Sequence, residues 1–254
     1  MILLHRISTF ALAAIIAAGF GVLIYYPDFF FHIIIIWAVV IFFLLARLLQ
    51  WDFKNFSFWV FFGTPTFFLA SSIFFFLFLE QEYAKFVLAL IVTAGFWLYV
   101  ESLFTFYHLP AAYQAYSLEY LSLVMYILSG FFFTSAAYGA QLFLQLPVWI
   151  PAIAVFLVSI FATVSVFWAS KIGSRVGIRF ALVVSIIISE LYIALAMLPT
   201  SFLTNAAVFA IAMYLLLGLS RAHVLDKLSK RVLKHYLLIG IILLLMVFGT
   251  ARWI

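Results

Sequence analysis

The sequence contains very few charged residues: Asp, Glu, Lys and Arg make up 8% of its 254 residues, whereas apolar residues make up 69%. A soluble domain carries roughly 25% charged residues. Because so few charges cannot coat a water-facing surface, we expect most of the exterior to face lipid. The long unbroken apolar runs differ from the short alternating segments of a membrane β-barrel. The sequence therefore predicts an all-α, polytopic transmembrane helical bundle.

Cysteine is absent, which excludes disulfides, thiolate metal sites and a cysteine nucleophile. The only aspartates, Asp28, Asp52 and Asp226, fall in predicted loops. No zinc-protease, nucleophile-elbow, Walker or dinucleotide-binding motif occurs. We therefore predict no catalytic residue, no metal, no cofactor and no nucleic-acid partner. Enzyme activity is the less favoured class.

A membrane-spanning helix needs about 20 apolar residues, and nine runs come close to that length. We predict helices over residues 7–26, 29–49, 57–79, 86–107, 116–138, 149–170, 180–198, 202–219 and 236–253. With a cytoplasmic N-terminus, all but two of the 13 Lys and Arg residues fall on the cytoplasmic side, leaving Lys85 and Arg252 outside. Removing any one crossing would destroy this positive-inside bias. The pattern therefore predicts a protein of the bacterial inner membrane with its N-terminus inside and its C-terminus outside.

The segment Ser220–His235 is basic and has an apolar face, which is typical of a helix lying in the membrane interface. Its candidate ligands for anionic lipid headgroups are Lys227, Lys230, Arg231 and Lys234. The alternative is that these charges only obey the positive-inside rule. The bilayer and its anionic headgroups are the predicted partners here.

A short pattern occurs twice in the sequence, beginning at Glu101 and at Glu190. Each glutamate is followed by seven residues, Leu-Pro, and then Met-Tyr-x-Leu-x-Gly, with the copies 88–89 residues apart. Because this offset equals three helices, a single transmembrane domain over 1–254 would contain units 1–80, 81–170 and 171–254, the last two forming an inverted repeat. Inverted repeats are frequent in secondary transporters. Chance agreement in a leucine-rich sequence is the alternative.

Carboxylates at membrane depth are costly and mark functional candidates. Glu190 lies near the middle of predicted helix 7, and Glu101, Thr105 and His108 share one helix face at i, i+4 and i+7. The candidate substrate- or ion-binding residues are Glu101, Glu190, Glu119, His108, Tyr126 and Thr105. In the alternative interpretation, the carboxyl groups are protonated or hydrogen-bonded across helices and fix the helix register.

Two stretches, Glu101–Glu119 and Ser189–Asn205, resemble uncharacterised multipass membrane proteins of candidate-phyla bacteria. The matching residues include Pro110, Tyr113, Tyr116 and Glu119 in the first stretch and Leu198-Pro199-Thr200 in the second. The resemblance covers under a quarter of the chain and implies a bacterial source, with no known activity.

The leading functional hypothesis is a small-solute or ion transporter, or a channel-like protein. Its first alternative is a membrane scaffold or complex subunit without transport activity, either as a homo-oligomer or with a membrane partner. The second alternative is a lipid-modifying enzyme that uses His108 and Glu119 at the cytoplasmic interface.

Overall fold

The structure of this multipass membrane protein is a computed structural model that describes residues 2–114, 116–172 and 174–251. Within these residues the chain is all-α, with nine helices that are each long and apolar enough to cross a membrane. The helices are α1 Ile2–Tyr25, α2 Phe30–Leu48, α3 Phe56–Phe76, α4 Glu82–His108, α5 Ser117–Leu144, α6 Trp149–Ala169, α7 Ser174–Ala196, α8 Phe202–Val224 and α9 Lys230–Thr250. The predicted fold class is confirmed. Arg252, which was predicted to lie outside, falls beyond the described residues.

The prediction of one interfacial helix over Ser220–His235 is wrong. The first part of this segment continues α8 to Val224, and the last part is the first turns of α9. Between them Asp226 adopts a left-handed conformation (φ 54°), and Ser229 caps α9 by accepting a hydrogen bond from the Val232 N–H at 3.2 Å. The chain therefore reverses in a tight turn, which presents the basic side chains at the ends of two helices.

The chain forms two compact units, Met1–Leu121 and Ser122–Ile254. The predicted three-helix units 1–80, 81–170 and 171–254, and their inverted relation, stay a prediction.

In the first unit, α1 packs most extensively against α4, while α2 lies on α1 and α3 lies on α4. A glycine permits the contact between α1 and α2. The buried Trp37 ring of α2 lies against Gly19, and its indole Nε1–H donates to the Ile15 carbonyl oxygen at 3.2 Å. Helix association inside a membrane removes no apolar surface from water. Packing of this kind is therefore the main force that holds transmembrane helices together.

Helix α3 is continuous through Pro65, although proline lacks an N–H. The hydroxyls on either side bond to backbone carbonyls one turn earlier: Thr64 to Val60 at 2.8 Å and Thr66 to Phe62 at 2.9 Å. Flanking hydroxyls of this kind help a transmembrane helix to tolerate proline. The helix starts at an Asn55 cap.

In the second unit, α6 packs most extensively against α7, and α8 packs on both α7 and α9. The α8–α9 pair fits in two places, each with a glycine facing a large side chain. Tyr236 of α9 lies over Gly218, and Leu215 of α8 lies over Gly240. Most other side chains of α9 are exposed, as expected for a peripheral helix that faces lipid.

Candidate functional site: polar residues at membrane depth

Glu101 connects two helices of the first unit. Its half-buried carboxylate accepts a hydrogen bond of 3.0 Å from the Thr9 hydroxyl of α1. Thr9 is fully buried, and its hydroxyl lies 2.8 Å from the Arg6 carbonyl oxygen as well. The single hydroxyl hydrogen is therefore shared between a carboxylate and a backbone oxygen. This contact favours the interpretation that Glu101 fixes the register of α1 and α4, and its role in ion binding stays a prediction.

Thr105 and His108 follow Glu101 on the same face of α4. The helix is continuous through all three positions, and all three side chains are half-buried. The Thr105 hydroxyl donates to the Ser102 carbonyl oxygen at 2.9 Å. The His108 ring stacks on Phe104 with a centroid distance of 5.3 Å. The three side chains therefore lie along one face of α4, and the Thr105 hydroxyl is hydrogen-bonded within its own helix.

Glu119 and Tyr126 lie on α5. Glu119 is in the first turn and only 9% exposed, where the positive end of the helix dipole stabilises a carboxylate. The Tyr113 hydroxyl accepts a hydrogen bond from the Leu118 N–H, in the same first turn of α5, at 3.3 Å. Tyr126 is fully buried, with its ring edge-on to Phe161 of α6.

Several buried serine hydroxyls of the second unit have no hydrogen-bond partner in the part of the chain that the structure describes. They belong to α5, α6 and α7 and are Ser122, Ser129, Ser135, Ser165 and Ser185. By contrast, Thr134 and Thr163 each donate to a carbonyl four residues earlier at 2.7 Å, the usual arrangement for a hydroxyl within a helix. Buried polar groups in native proteins normally have a partner, and ordered water or a ligand can supply it. These serines therefore place polar groups within the packed interior of the second unit.

Glu190 lies in a different setting, because its side chain is exposed on the outer face of α7. Apolar side chains surround it on this face, including Val183, Ile186 and Ile187, which are also exposed. Among the residues that the structure describes, Glu190 has no hydrogen-bond or ion-pair partner. A carboxylate is thus presented on the surface of a membrane-spanning helix.

Sequence reasoning missed a polar cluster between α5 and α7. The Tyr138 hydroxyl donates to the Tyr192 carbonyl oxygen at 3.0 Å, and the Gln141 amide donates to the Tyr192 hydroxyl at 2.7 Å. The two tyrosine rings stack with centroids 4.5 Å apart. The only signal in the sequence was Gln141 three residues after Tyr138, on the same helix face. Because the polar groups of this cluster hydrogen-bond to one another, the cluster connects α5 to α7.

The basic side chains at the α8–α9 turn are exposed, which is compatible with headgroup binding. Lys227 lies in the turn, and Lys230, Arg231 and Lys234 lie in the first turns of α9. Their binding of anionic headgroups stays a prediction.

Within each unit, the predicted site residues do not gather into one described cavity. No group of three or more histidine and acidic side chains is arranged to hold a metal ion within residues 2–114, 116–172 and 174–251. His108 and Glu119 lie near the ends of consecutive helices. The use of this pair in lipid modification stays a prediction.

Residues 49–250 match the family described as "Protein of unknown function (DUF5656)". The match covers most of the chain, which therefore belongs to this family. No match was found to a curated protein or to a solved structure. The predicted resemblance to proteins without a known activity is thereby confirmed.

Proposed function

We propose that this member of the family is the membrane subunit of a larger complex, in which α7 packs against a transmembrane helix of a different chain. The observation that supports the proposal is the Glu190 carboxylate, exposed and without a partner among the described residues. Ionisable residues in membrane-spanning segments are rare on lipid-facing surfaces, and they usually pair with another polar group.

Glu190 lies far enough from the end of α7 that contact between its short side chain and water is unfavourable. Six residues separate it from the end of α7 at Ala196, which corresponds to about 9 Å along the helix axis. Side chains at the preceding turns on this face, such as Val183 and Ile187, are apolar and exposed. The face therefore combines an apolar stripe with one hydrogen-bond acceptor, a combination that suits a helix carrying one donor at the same depth.

The charge of Glu190 favours a different chain over a second copy. In a membrane, two copies related by a twofold axis run parallel and place equivalent residues opposite each other. Glu190 would then face Glu190, and two like charges repel at close range unless one of them is protonated. A partner helix with a lysine, arginine or neutral donor avoids this repulsion and forms a charge-assisted hydrogen bond.

The absence of native cysteine allows a direct test. We would introduce Ile187→Cys on the α7 face and, as a control at similar depth, Leu157→Cys on α6, where the side chain is 60% exposed. A thiol-reactive photo-crosslinker would be attached to each variant in native membranes. We expect a heteromeric adduct from position 187, strongly reduced by Glu190→Leu and retained by Glu190→Gln, which keeps an acceptor oxygen.

Two results would contradict the proposal. An adduct with twice the 29.0 kDa mass of the chain would indicate a homo-oligomer. Equal adduct yields from positions 157 and 187, or a yield unaffected by Glu190→Leu, would indicate random collision in the membrane.

Transport of a small solute or ion is a second candidate, favoured by the buried serine hydroxyls of the second unit. In this alternative, Glu101 and Glu190 are proton or cation sites and Glu119 lines an entrance. Purified chain in proteoliposomes would then take up an alkali cation or a small polar solute without any partner. Uptake that is unchanged by Glu101→Gln, Glu190→Gln and Ser129→Ala would remove the proposed role of these residues, and the absence of uptake would remove this function.

We also propose the orientation that the basic residues favour, with the α8–α9 turn on the cytoplasmic face of a bacterial inner membrane. The exposed basic side chains of this turn would then meet the anionic leaflet surface. A reporter fusion described below tests this orientation.

A further inference from the structure

A recess of about 290 Å³ lies between α2 and α3 in the first unit. Its walls come from two antiparallel helices, and the lining residues used below are Trp37, Ala38, Phe42, Phe62, Thr66 and Ala70. On α2 the lining extends from Ile34 to Phe42, a length of about 12 Å along the helix axis. Both helices are long and apolar enough to cross the membrane, so the recess lies at the depth of the hydrocarbon core.

Two polar side chains, Trp37 and Thr66, line the recess, and the donor hydrogen of each is already used within the protein. The Trp37 indole N–H is used by the Ile15 carbonyl oxygen, at 3.2 Å. The Thr66 hydroxyl lies 2.9 Å from the Phe62 carbonyl oxygen and 3.1 Å from that of Gly63. All other lining residues are aliphatic or phenylalanine. Because a site without polar partners does not hold water, its surface suits hydrocarbon alone.

The shape of the recess suits an elongated occupant. Its rim contains the exposed alanines Ala38 and Ala70, whose small side chains leave the side of the recess open. The Trp37 ring, only 2% exposed, forms part of its floor. One end is closed by Phe42 and Phe62, whose rings meet edge to face with centroids 5.7 Å apart. An occupant therefore enters from the lipid side and extends toward the Phe30 end of α2.

We propose that this recess binds one acyl chain of a bilayer lipid whose headgroup lies at the Phe30 end of α2. The volume is about twice that of an apolar cavity of roughly 150 Å³ that binds benzene, and it lies near the lower limit for small-molecule pockets. It holds part of one hydrocarbon chain. Acyl chains surround the opening at high concentration, and a linear chain needs no polar partner along its length. The proposal concerns the first unit and is independent of the α7 face.

The test uses fluorescence quenching of Trp37 by a phosphatidylcholine that carries bromine in the middle of one acyl chain. The other six tryptophans would be replaced by phenylalanine, and the delipidated variant would be titrated in detergent. We expect saturable quenching at about one lipid per chain. Ala38→Leu with Ala70→Leu should fill the opening and reduce the quenching several-fold, whereas the control Ala94→Leu, at an exposed position of α4, should leave it unchanged.

A second measurement keeps the test valid where the single-tryptophan variant does not fold. Native mass spectrometry of the chain with all seven tryptophans should show one retained phospholipid, which is lost in the Ala38→Leu, Ala70→Leu variant and kept in Ala94→Leu. Quenching that rises in proportion to the bromolipid fraction and is equal in all variants would indicate ordinary contact with bulk lipid. That result, or a bound polypeptide in place of the lipid, would overturn the proposal.

Discussion

Gly19 and Gly21 of α1 form a matched pair for testing the packing of the first unit. A β-carbon added at Gly19 would lie 2.6 Å from Nε1 of the Trp37 ring, far inside van der Waals contact. A β-carbon added at Gly21 would meet no atom within 4 Å. Both positions lie in the interior of the same helix. Gly19→Ala and Gly21→Ala therefore differ mainly in steric overlap.

The expected difference in the free energy of unfolding can be worked out from this geometry. Replacing glycine by alanine in a helix interior stabilises it by about 1 kcal/mol, and this gain applies to both variants. At Gly19 the Trp37 ring must also move, which weakens its hydrogen bond to Ile15, worth about 0.5–1.5 kcal/mol. Overpacking of a well-packed core typically costs about 1–3 kcal/mol in total. We therefore expect Gly19→Ala to be less stable than Gly21→Ala by about 1–3 kcal/mol.

Reversible unfolding in mixed micelles, with increasing dodecyl sulfate and far-ultraviolet circular dichroism as the signal, would measure this difference. The variant Trp37→Phe, alone and with Gly19→Ala, completes a double-mutant cycle. Since the smaller ring relieves the overlap, we expect a coupling energy of about 1 kcal/mol or more. Equal stabilities of the two alanine variants, or a coupling near zero, would refute the close contact between Trp37 and Gly19.

Three further predictions address other parts of the chain. Tyr138→Phe should lower the free energy of unfolding by about 1 kcal/mol, because it removes a buried hydrogen bond between α5 and α7. The control Tyr83→Phe, at a position 68% exposed, should be neutral. Equal effects of the two variants in the same unfolding assay would contradict this prediction. Thr9→Val should destabilise the protein in that assay, because it removes a hydrogen bond to Glu101. The control Thr250→Val, which alters a hydroxyl that is bonded within its own helix, should have a smaller effect. No difference between the two variants would argue against the α1–α4 connection. A C-terminal alkaline phosphatase fusion should be active in a bacterial host and a C-terminal green fluorescent protein fusion dark, and the reverse result would overturn the proposed orientation.

The helices were predictable because their lengths follow from the bilayer. A span needs about 20 apolar residues, and each run of this length became a helix. The helix ends were harder to place where basic residues flank an apolar run. Lys230 and Arg231 were assigned to an interfacial segment, but they begin α9, since a helix can extend past the hydrocarbon while its charged side chains point to water.

The uniform apolarity that made the helices predictable also hides which face of each helix is buried. A helix that is apolar on every side gives no periodic signal for the side that is buried. The sequence placed Glu101 and Glu190 at membrane depth but gave no indication that one meets Thr9 and the other is exposed. The close approach of Trp37 to Gly19 likewise depends on how α1 and α2 pack, which no spacing in the sequence encodes.

Under the proposed function, a comparison of Glu101 with Glu190 indicates what a partner helix on α7 would provide. Under the repeat hypothesis, Glu101 and Glu190 are equivalent positions of α4 and α7. Glu101 receives its hydrogen bond from Thr9, on the helix α1 that precedes the unit 81–170. By analogy, a helix of another chain on the α7 face would occupy the place that α1 takes on α4. A neutral hydroxyl in that helix would then satisfy Glu190 as Thr9 satisfies Glu101, so a partner helix with serine or threonine at this depth fits the proposal as well as one with a positive charge.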